Sequence, residues 1–241
     1  MQDQSDVKLI KKIHERSPEY GYRRISIKTG FSNNKAYRLM KKAQIKSVIR
    51  KKKYNRYPAA KREQGIVADN LIKRDFNSNE FLKQLHCDIS QINVKTGQPS
   101  YICGIIDVFN NELVAHHISK RCDTNLVLET LKMLKSNYPE VSLKEAIIHT
   151  DRGTQFTSKK WHLKLEELNL IPSMSPKGSP VDNSPIESFF STLKAEFLYL
   201  NKPENVRDLH NTLTRWIAYY NNERIVTKLN DCSILDIHKF D

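Results

Sequence analysis

The sequence predicts an α/β fold, a mixed sheet flanked by helices, preceded by a small basic helical region. Three observations lead there. Strand-like runs at 85–94, 100–109 and 112–118 follow one another across short turns, Gly97-Gln98 and Asn110-Asn111. Beyond residue 120, apolar strand runs alternate with helical patterns. Three adjacent strands followed by such alternation give a mixed sheet covered by helices. Third, residues 20–62 hold fifteen Lys or Arg and no Asp or Glu, which sets them apart from the rest.

The elements can be justified in order. Residues 5–16 read as a short helix with Val7, Leu9, Ile10 and Ile13 apolar, ended by Ser17-Pro18. Ser32 is an N-cap for a second helix carrying Ala36, Leu39, Met40 and Ala43. Two short helices about a Gly-containing link form a helix-turn-helix-like unit. Residues 46–62 are basic and aromatic, an arm or linker. Tyr101 to Phe109 is nearly all apolar, as a central strand should be. Asp123 caps a helix reaching Ser136, with Leu126, Leu128, Leu131 and Leu134 apolar. A strand at 144–150, a helix at 158–168 and a strand at 170–174 follow. A Ser-, Pro- and Gly-rich loop, Ser175 to Pro185, precedes helices at 185–200 and 204–221. The organisation is a basic helix-turn-helix-like region at 1–60, a linker at 61–78 and an α/β core with C-terminal helices at 79–241.

Composition narrows the function classes. The chain has 241 residues, 39% hydrophobic, enough for a substantial core. No apolar run approaches the roughly 20 residues that span a bilayer. The first six residues are polar and acidic, unlike a secretory signal. Cys87, Cys103, Cys122 and Cys232 lack zinc-ligand spacing and read as reduced cytosolic thiols. The net charge is +13, and its excess sits in residues 20–62. Concentrated positive charge is the footprint of a nucleic-acid binder, because neutralising phosphates releases condensed counterions. A solvated basic tail explains the charge less specifically, and membrane attraction suits a segment with so little apolar face poorly.

Three acids stand out. Asp88 lies in a strand run, where Asp is disfavoured. Asp107 competes as a strand acid. Asp151 follows Ala146-Ile147-Ile148 within His149-Thr150-Asp151-Arg152-Gly153-Thr154-Gln155-Phe156, just past a buried strand, where α/β sheets place their sites. Gly153 eases the turn, and Arg152 and Gln155 suit phosphate binding or orientation of the carboxylate; an ordinary turn capped by Asp151 is the plainer account. Glu187 begins a helix, with 35 residues between it and Asp151. Glu187, Ser191 and Lys194 share a face at spacings of four and three, while Ile186, Phe189, Phe190, Leu193 and Phe197 form an apolar one. Convergent carboxylates need a cation, and hard oxygen ligands suit Mg²⁺ or Mn²⁺. Two such ions can drive displacement at phosphorus.

These segments, with Ser173 to Gly178, Asp182-Asn183, Glu187 to Glu196 and Tyr219 to Arg224, resemble the second reading frame (OrfB) of bacterial insertion-sequence transposases of the IS-three type. Gly104 to Asp107, Tyr20 to Ile25 and Tyr37 to Met40 fit the same family. The resemblance implies a DDE integrase core with a ribonuclease H-like fold and an insertion-sequence transposase that cleaves DNA and transfers a 3′-OH. It implies Asp88, Asp151 and Glu187 as catalytic ligands of two Mg²⁺ or Mn²⁺ ions, with Lys194 as the catalytic basic residue further along the glutamate helix, meeting a phosphate near the metals. DNA contacts are expected from Arg23, Arg24, Arg38, Lys41, Lys42, Arg50, Lys51, Lys52, Lys53, Arg152, Lys177 and Lys194. Expected partners are double-stranded DNA (element ends and target), further copies of the chain on that DNA, and the first-frame product or a frameshift fusion. The expected setting is the bacterial cytoplasm at the nucleoid, with no membrane partner. Departures from the family pattern are Leu85 in place of a tryptophan, a shortened interval from Arg24 to Tyr37, and Ser233-Ile234 in place of Ser-Pro. The competing readings are a DNA-binding regulatory product without transposition activity and a ribonuclease H acting on RNA–DNA hybrids.

Overall fold

The computed structural model describes residues 2–48, 65–176, 180–226 and 232–237. Two compact units emerge, one of residues 1–56 with 192–201, the other of 57–191 with 202–241.

In the first unit, α1 (Gln2–Arg16), α2 (Tyr22–Thr29) and α3 (Asn33–Lys42) enclose a small core of Ile10, Tyr20, Ile25, Ala36, Leu39 and Met40. Ser32 caps α3 as expected, accepting from the Lys35 amide. The sequence pattern yielded two helices; the structure adds α2. Its Tyr, Ile and Thr residues are poor helix formers, so local propensity conceals it. Complete burial of Ile25 and a left-handed C-cap at Gly30 (φ 70°) make it a helix. Asp3 joins α1 to α3 through Arg38 and Lys42, and Asp6 does so through Lys35. The Arg38 hydrogen bond holds the Asp3 carboxyl down at about 2.

The second unit is built on one five-stranded sheet in the order β3-β2-β1-β4-β5. The strands are β1 (Gln84–Ile92), β2 (Ser100–Asp107), β3 (Leu113–Ser119), β4 (Ile147–Thr150) and β5 (Ile171–Met174). The first three are antiparallel, while β4 and β5 run parallel to β1. The predicted mixed sheet is therefore present. One face carries Leu85, Cys87, Cys103, Ile105, Ile148 and Met174 into a core completed by α4 (Thr124–Asn137) and α5 (Lys159–Glu167). Asp123 and Ser158 cap these two helices through the Leu126 and Trp161 amides.

The opposite face meets α6 (Ser184–Leu193) and α7 (Val206–Asn222). Phe189 packs edge-on against Tyr220, and Asn221 bonds both backbone groups of Leu113. Gly104 lets this layer close on the sheet: a Cβ there would lie 3.2 Å from Leu113 and 3.5 Å from Ile186 and Phe190. The helix read over 185–200 changes character. Its α-helical part ends at Leu193, and a π-helical turn covers Lys194–Leu198. A four-residue helix, α8 (Ile234–Ile237), was not among the expected elements, although Ser233 and Asp236 cap its start reciprocally.

Asp107 is explained structurally. Its fully buried carboxylate accepts from the Leu82 and Phe109 amides and pins the end of β2. All four cysteines are free, and the buried Cys87 and Cys103 sulfurs lie 3.5 Å apart.

Candidate active site

The parallel ladder between β1 and β4 pairs Leu85 with Ile148 and His86 with His149. Asp88 and Asp151 each lie two residues beyond that last pair. They therefore hold equivalent places on neighbouring segments, just past the point where the ladder ends. Asp88 is still within β1, opposite Gly104 of β2, whereas Asp151 has just left β4. Asp88 is half-buried and Asp151 exposed. Burial pushes the Cys87 thiol well up, and the charges of Asp88 and Asp151 both add to the push, so the two fields overlap there.

The turn after β4 is fixed locally. The Gly153 amide donates to Asp151 Oδ1 at 2.7 Å. Gly153 does not have a left-handed φ. What the site requires is space, since a Cβ would lie 2.8 Å from that oxygen. Arg152 donates through Nε to the Ser175 carbonyl, and Gln155 donates through Nε2 to the Cys122 carbonyl. These two side chains tie the flanking loops to the Asp151 turn.

Below the aspartates lies a buried polar layer that the sequence did not announce. His149 contacts Ser173 Oγ through Nδ1 and Ser175 Oγ through Nε2, both at 2.9 Å. His86 meets Asn183 Oδ1 through Nδ1 at 2.8 Å, and the two imidazoles lie 5.1 Å apart. Burial lowers both rings to about 4, so both are neutral at pH 7. Asn183 ends a 3₁₀ turn, Pro180–Asn183, within the stretch expected to be loop. The available signal was modest: polar residues at alternate strand positions and the Asp182-Asn183 pair before a helix.

Glu187 is exposed in the first turn of α6. Its neighbour Ile186 packs over Gly104, the residue paired with Asp88. Lys194 opens the π turn, where the Tyr199 amide donates to the Lys194 carbonyl. The regular spacing from Glu187 to Lys194 is thus interrupted at its last residue. Among the described residues, no group of three carboxylate, imidazole or thiolate side chains is arranged to hold a metal ion. The two aspartates hold equivalent places; a closed three-acid cage is not formed.

The basic residues of the first unit have internal partners. Arg24 donates to Glu196 at 2.7 Å and lies over the Tyr20 ring. Arg23 contacts Tyr22, while Arg38 and Lys42 meet Asp3. Lys41 is exposed. Arg50, Lys51, Lys52, Lys53 and Lys177 lie outside the described residues.

The Integrase core domain family matches residues 79–180, and a second model of the same description matches 169–233. The InsK protein of insertion sequence element IS150 from Escherichia coli (strain K12) is 34% identical over 222 residues, covering 90% of this chain and 76% of the relative. The transposase for insertion sequence element IS904 from Lactococcus lactis subsp. lactis (strain IL1403) is 31% identical over 238 residues, covering 95% and 90%. The HTLV-2 integrase catalytic core domain, in complex with magnesium and in dimeric form, superposes with a TM-score of 0.51 at 16% identity, over 67% of this chain and 99% of that one. At that identity the likeness concerns the fold, which is the ribonuclease H-like integrase core. The relatives in sequence carry the assignment further: the chain belongs to the IS-three family of insertion-sequence transposases with an integrase core.

Proposed function

We propose that this transposase cleaves duplex DNA and joins a freed 3′-OH to a target phosphodiester, with Asp88, Asp151 and Glu187 holding two Mg²⁺ or Mn²⁺ ions. The observation that supports the reading is the register of the parallel strands β1 and β4, in which Asp88 and Asp151 each follow the His86–His149 pair by two residues. The donors are all hard oxygens, which fits these cations. Carboxylates in this set would hold divalent ions whose chemistry is activation of an attacking hydroxyl and neutralisation of a leaving oxygen.

The chain's own groups prepare the site. Asp88, Asp151 and Glu187 would hold the ions through their carboxylate oxygens. The Gly153 amide restrains one Asp151 oxygen and so limits its rotamers. The neutral His86 and His149 support the acids from below without a positive charge that would compete for them. Lys194 and Arg152 bind phosphates of the reacting strand. Lys177 and the basic residues of 20–62 add salt-sensitive affinity for double-stranded DNA. No covalent protein–DNA intermediate is needed, so no Ser or Tyr nucleophile is assigned. The magnesium and the dimeric form named for the HTLV-2 core support the cation and assembly of several copies on element ends. The first-frame product, or a fusion with it, would complete end recognition.

The test is strand transfer with end-containing duplex DNA and Mn²⁺. Wild type should yield joined product, EDTA should stop it, and Asp151→Asn should bind DNA without joining. Wild-type binding with no nicking in either metal would refute the reading and leave a DNA-binding regulator.

A further inference from the structure

The turn before α6 does more than connect. Asp182 and Asn183 are 3% and 5% exposed, unusual burial for polar residues in a four-residue turn. Each makes two side-chain bonds, and the two residues reach in different directions. Asp182 accepts from Asn70 Nδ2 at 3.0 Å and from Arg74 Nε at 2.8 Å. Asn70 is itself fixed, accepting from the Lys73 amide. Asn183 Oδ1 faces His86 Nδ1, and Asn183 Nδ2 donates to the Cys87 carbonyl at 3.2 Å. Those two β1 residues immediately precede Asp88.

The Cys87 carbonyl is a telling partner. The Val108 amide donates to Gln84, so even-numbered β1 residues bond toward β2. The Ile147 amide donates to Lys83, so odd-numbered ones bond toward β4. If the parallel ladder continued, the Cys87 carbonyl would next accept from the backbone of residue 151. The ladder instead stops at His86 and His149, and the Asn183 amide occupies that acceptor.

We propose that Asn183 is a positioning residue that replaces the next rung of the β1–β4 ladder. It keeps the two strands from zipping past the level of Asp88 and Asp151, and it fixes the start of the helix bearing Glu187 against β1. Asp182 anchors the same turn to the segment at 70–74. The inference rests on the metal-binding reading of Asp88, Asp151 and Glu187. In physical terms, Asn183 supplies a donor and an acceptor matched to a carbonyl and an imidazole. The Cys87 carbonyl can only accept, so the Asn183 Nδ2 faces it and Oδ1 faces His86 Nδ1.

The test uses full-length protein and Mn²⁺ as the probe. Mn²⁺ affinity is read by electron paramagnetic resonance without DNA, and kcat and KM are read in strand transfer. Asn183→Ala should weaken Mn²⁺ binding and lower kcat by about tenfold or more, with KM for DNA unchanged. Added Mn²⁺ should restore part of the Asn183→Ala rate and none of the Asp151→Asn rate. Arg74 is 61% exposed at its side chain, so Arg74→Ala should leave folding intact and weaken Mn²⁺ binding a few-fold. That variant decides the matter if Asn183→Ala does not fold. Unchanged Mn²⁺ affinity and kcat in folded Asn183→Ala, or in Arg74→Ala where Asn183→Ala is lost, would overturn the clamp alone. Unchanged Mn²⁺ affinity in Asp151→Asn would overturn the metal reading and the clamp with it.

Discussion

On one face of the sheet, Leu85, Cys87, Cys103, Ile105, Ile148 and Met174 meet Leu126, Leu131, Trp161 and Leu165 in an apolar layer. On the other, the alternating residues of the same strands are His86, Asp88, Gly104, His149 and Ser173. The first face is held by area removed from water, which tolerates many side chains of suitable volume. The second joins apolar packing under α6 and α7 to a patch around His86 and His149 held by matched donors and acceptors from distant segments, where each partner has a fixed role. The contrast teaches that stability and chemistry are divided between the faces, with β1 supplying alternate residues to each.

The sharpest way to separate the faces is to remove charge from one and volume from the other. Asp151→Asn should lower strand transfer by about three orders of magnitude. Its carboxylate is exposed, so thermal unfolding should shift by no more than about 0.5 kcal/mol. Trp161→Ala should do the reverse. Trp161 is fully buried against Phe156, and its loss should cost about 3–5 kcal/mol in denaturant unfolding. The remaining folded molecules should keep their rate of joining. Equal loss of activity and stability in both variants would break the division.

Gly104→Val tests the point where helix packing meets the active face. Its branched side chain would press on Leu113, Ile186 and Phe190, an overpacking cost of about 1–3 kcal/mol. Because Ile186 adjoins Glu187, kcat should fall even under conditions where the variant is folded. Tyr138→Phe is a milder probe, away from the aspartates. The Tyr138 hydroxyl donates to the buried Glu112 carboxylate at 2.8 Å, and its removal should cost about 1–3 kcal/mol without altering joining.

The difference between the faces also explains what was legible. Apolar periodicity and side-chain caps located α4 and α5 to within a residue or two, because Asp123 and Ser158 mark their starts chemically. Asp88 stood out as an acid in a strand run and Asp151 as one just past a buried strand, while Glu187 was singled out by its place on the helix after Asp182-Asn183. His86, Ser173 and Asn183 were not, since a buried hydrogen-bonded residue and a solvated one share the same letter. Their partners lie on other elements, and only folding brings Asn183 to Cys87. Two backbone events escaped for a related reason. Burial of Ile25 overrides weak propensity in α2, and the π turn at Lys194–Leu198 has no Pro or Gly within it or in the turn before it to announce a change.

A different kind of effect is a slope and concerns His116, which pairs with Gly104 across β2 and β3. Burial lowers its imidazole from 6.5 to about 4, with the charges of His117 and His210 adding to the depression. A histidine kept neutral by the fold takes up a proton more readily once the chain unfolds. Between about pH 6.5 and pH 4 the unfolded state therefore binds more protons, and stability falls as pH is lowered through that window. Above pH 6.5 this contribution is fully present. His116→Gln cannot titrate, so its unfolding free energy should vary less steeply with pH across the same interval than that of wild type. Chemical denaturation at several pH values measures both slopes. Parallel slopes would mean that His116 is as easily protonated in the folded chain as in the unfolded one, and that burial on this part of the sheet does not oppose charge as strongly as the packing implies.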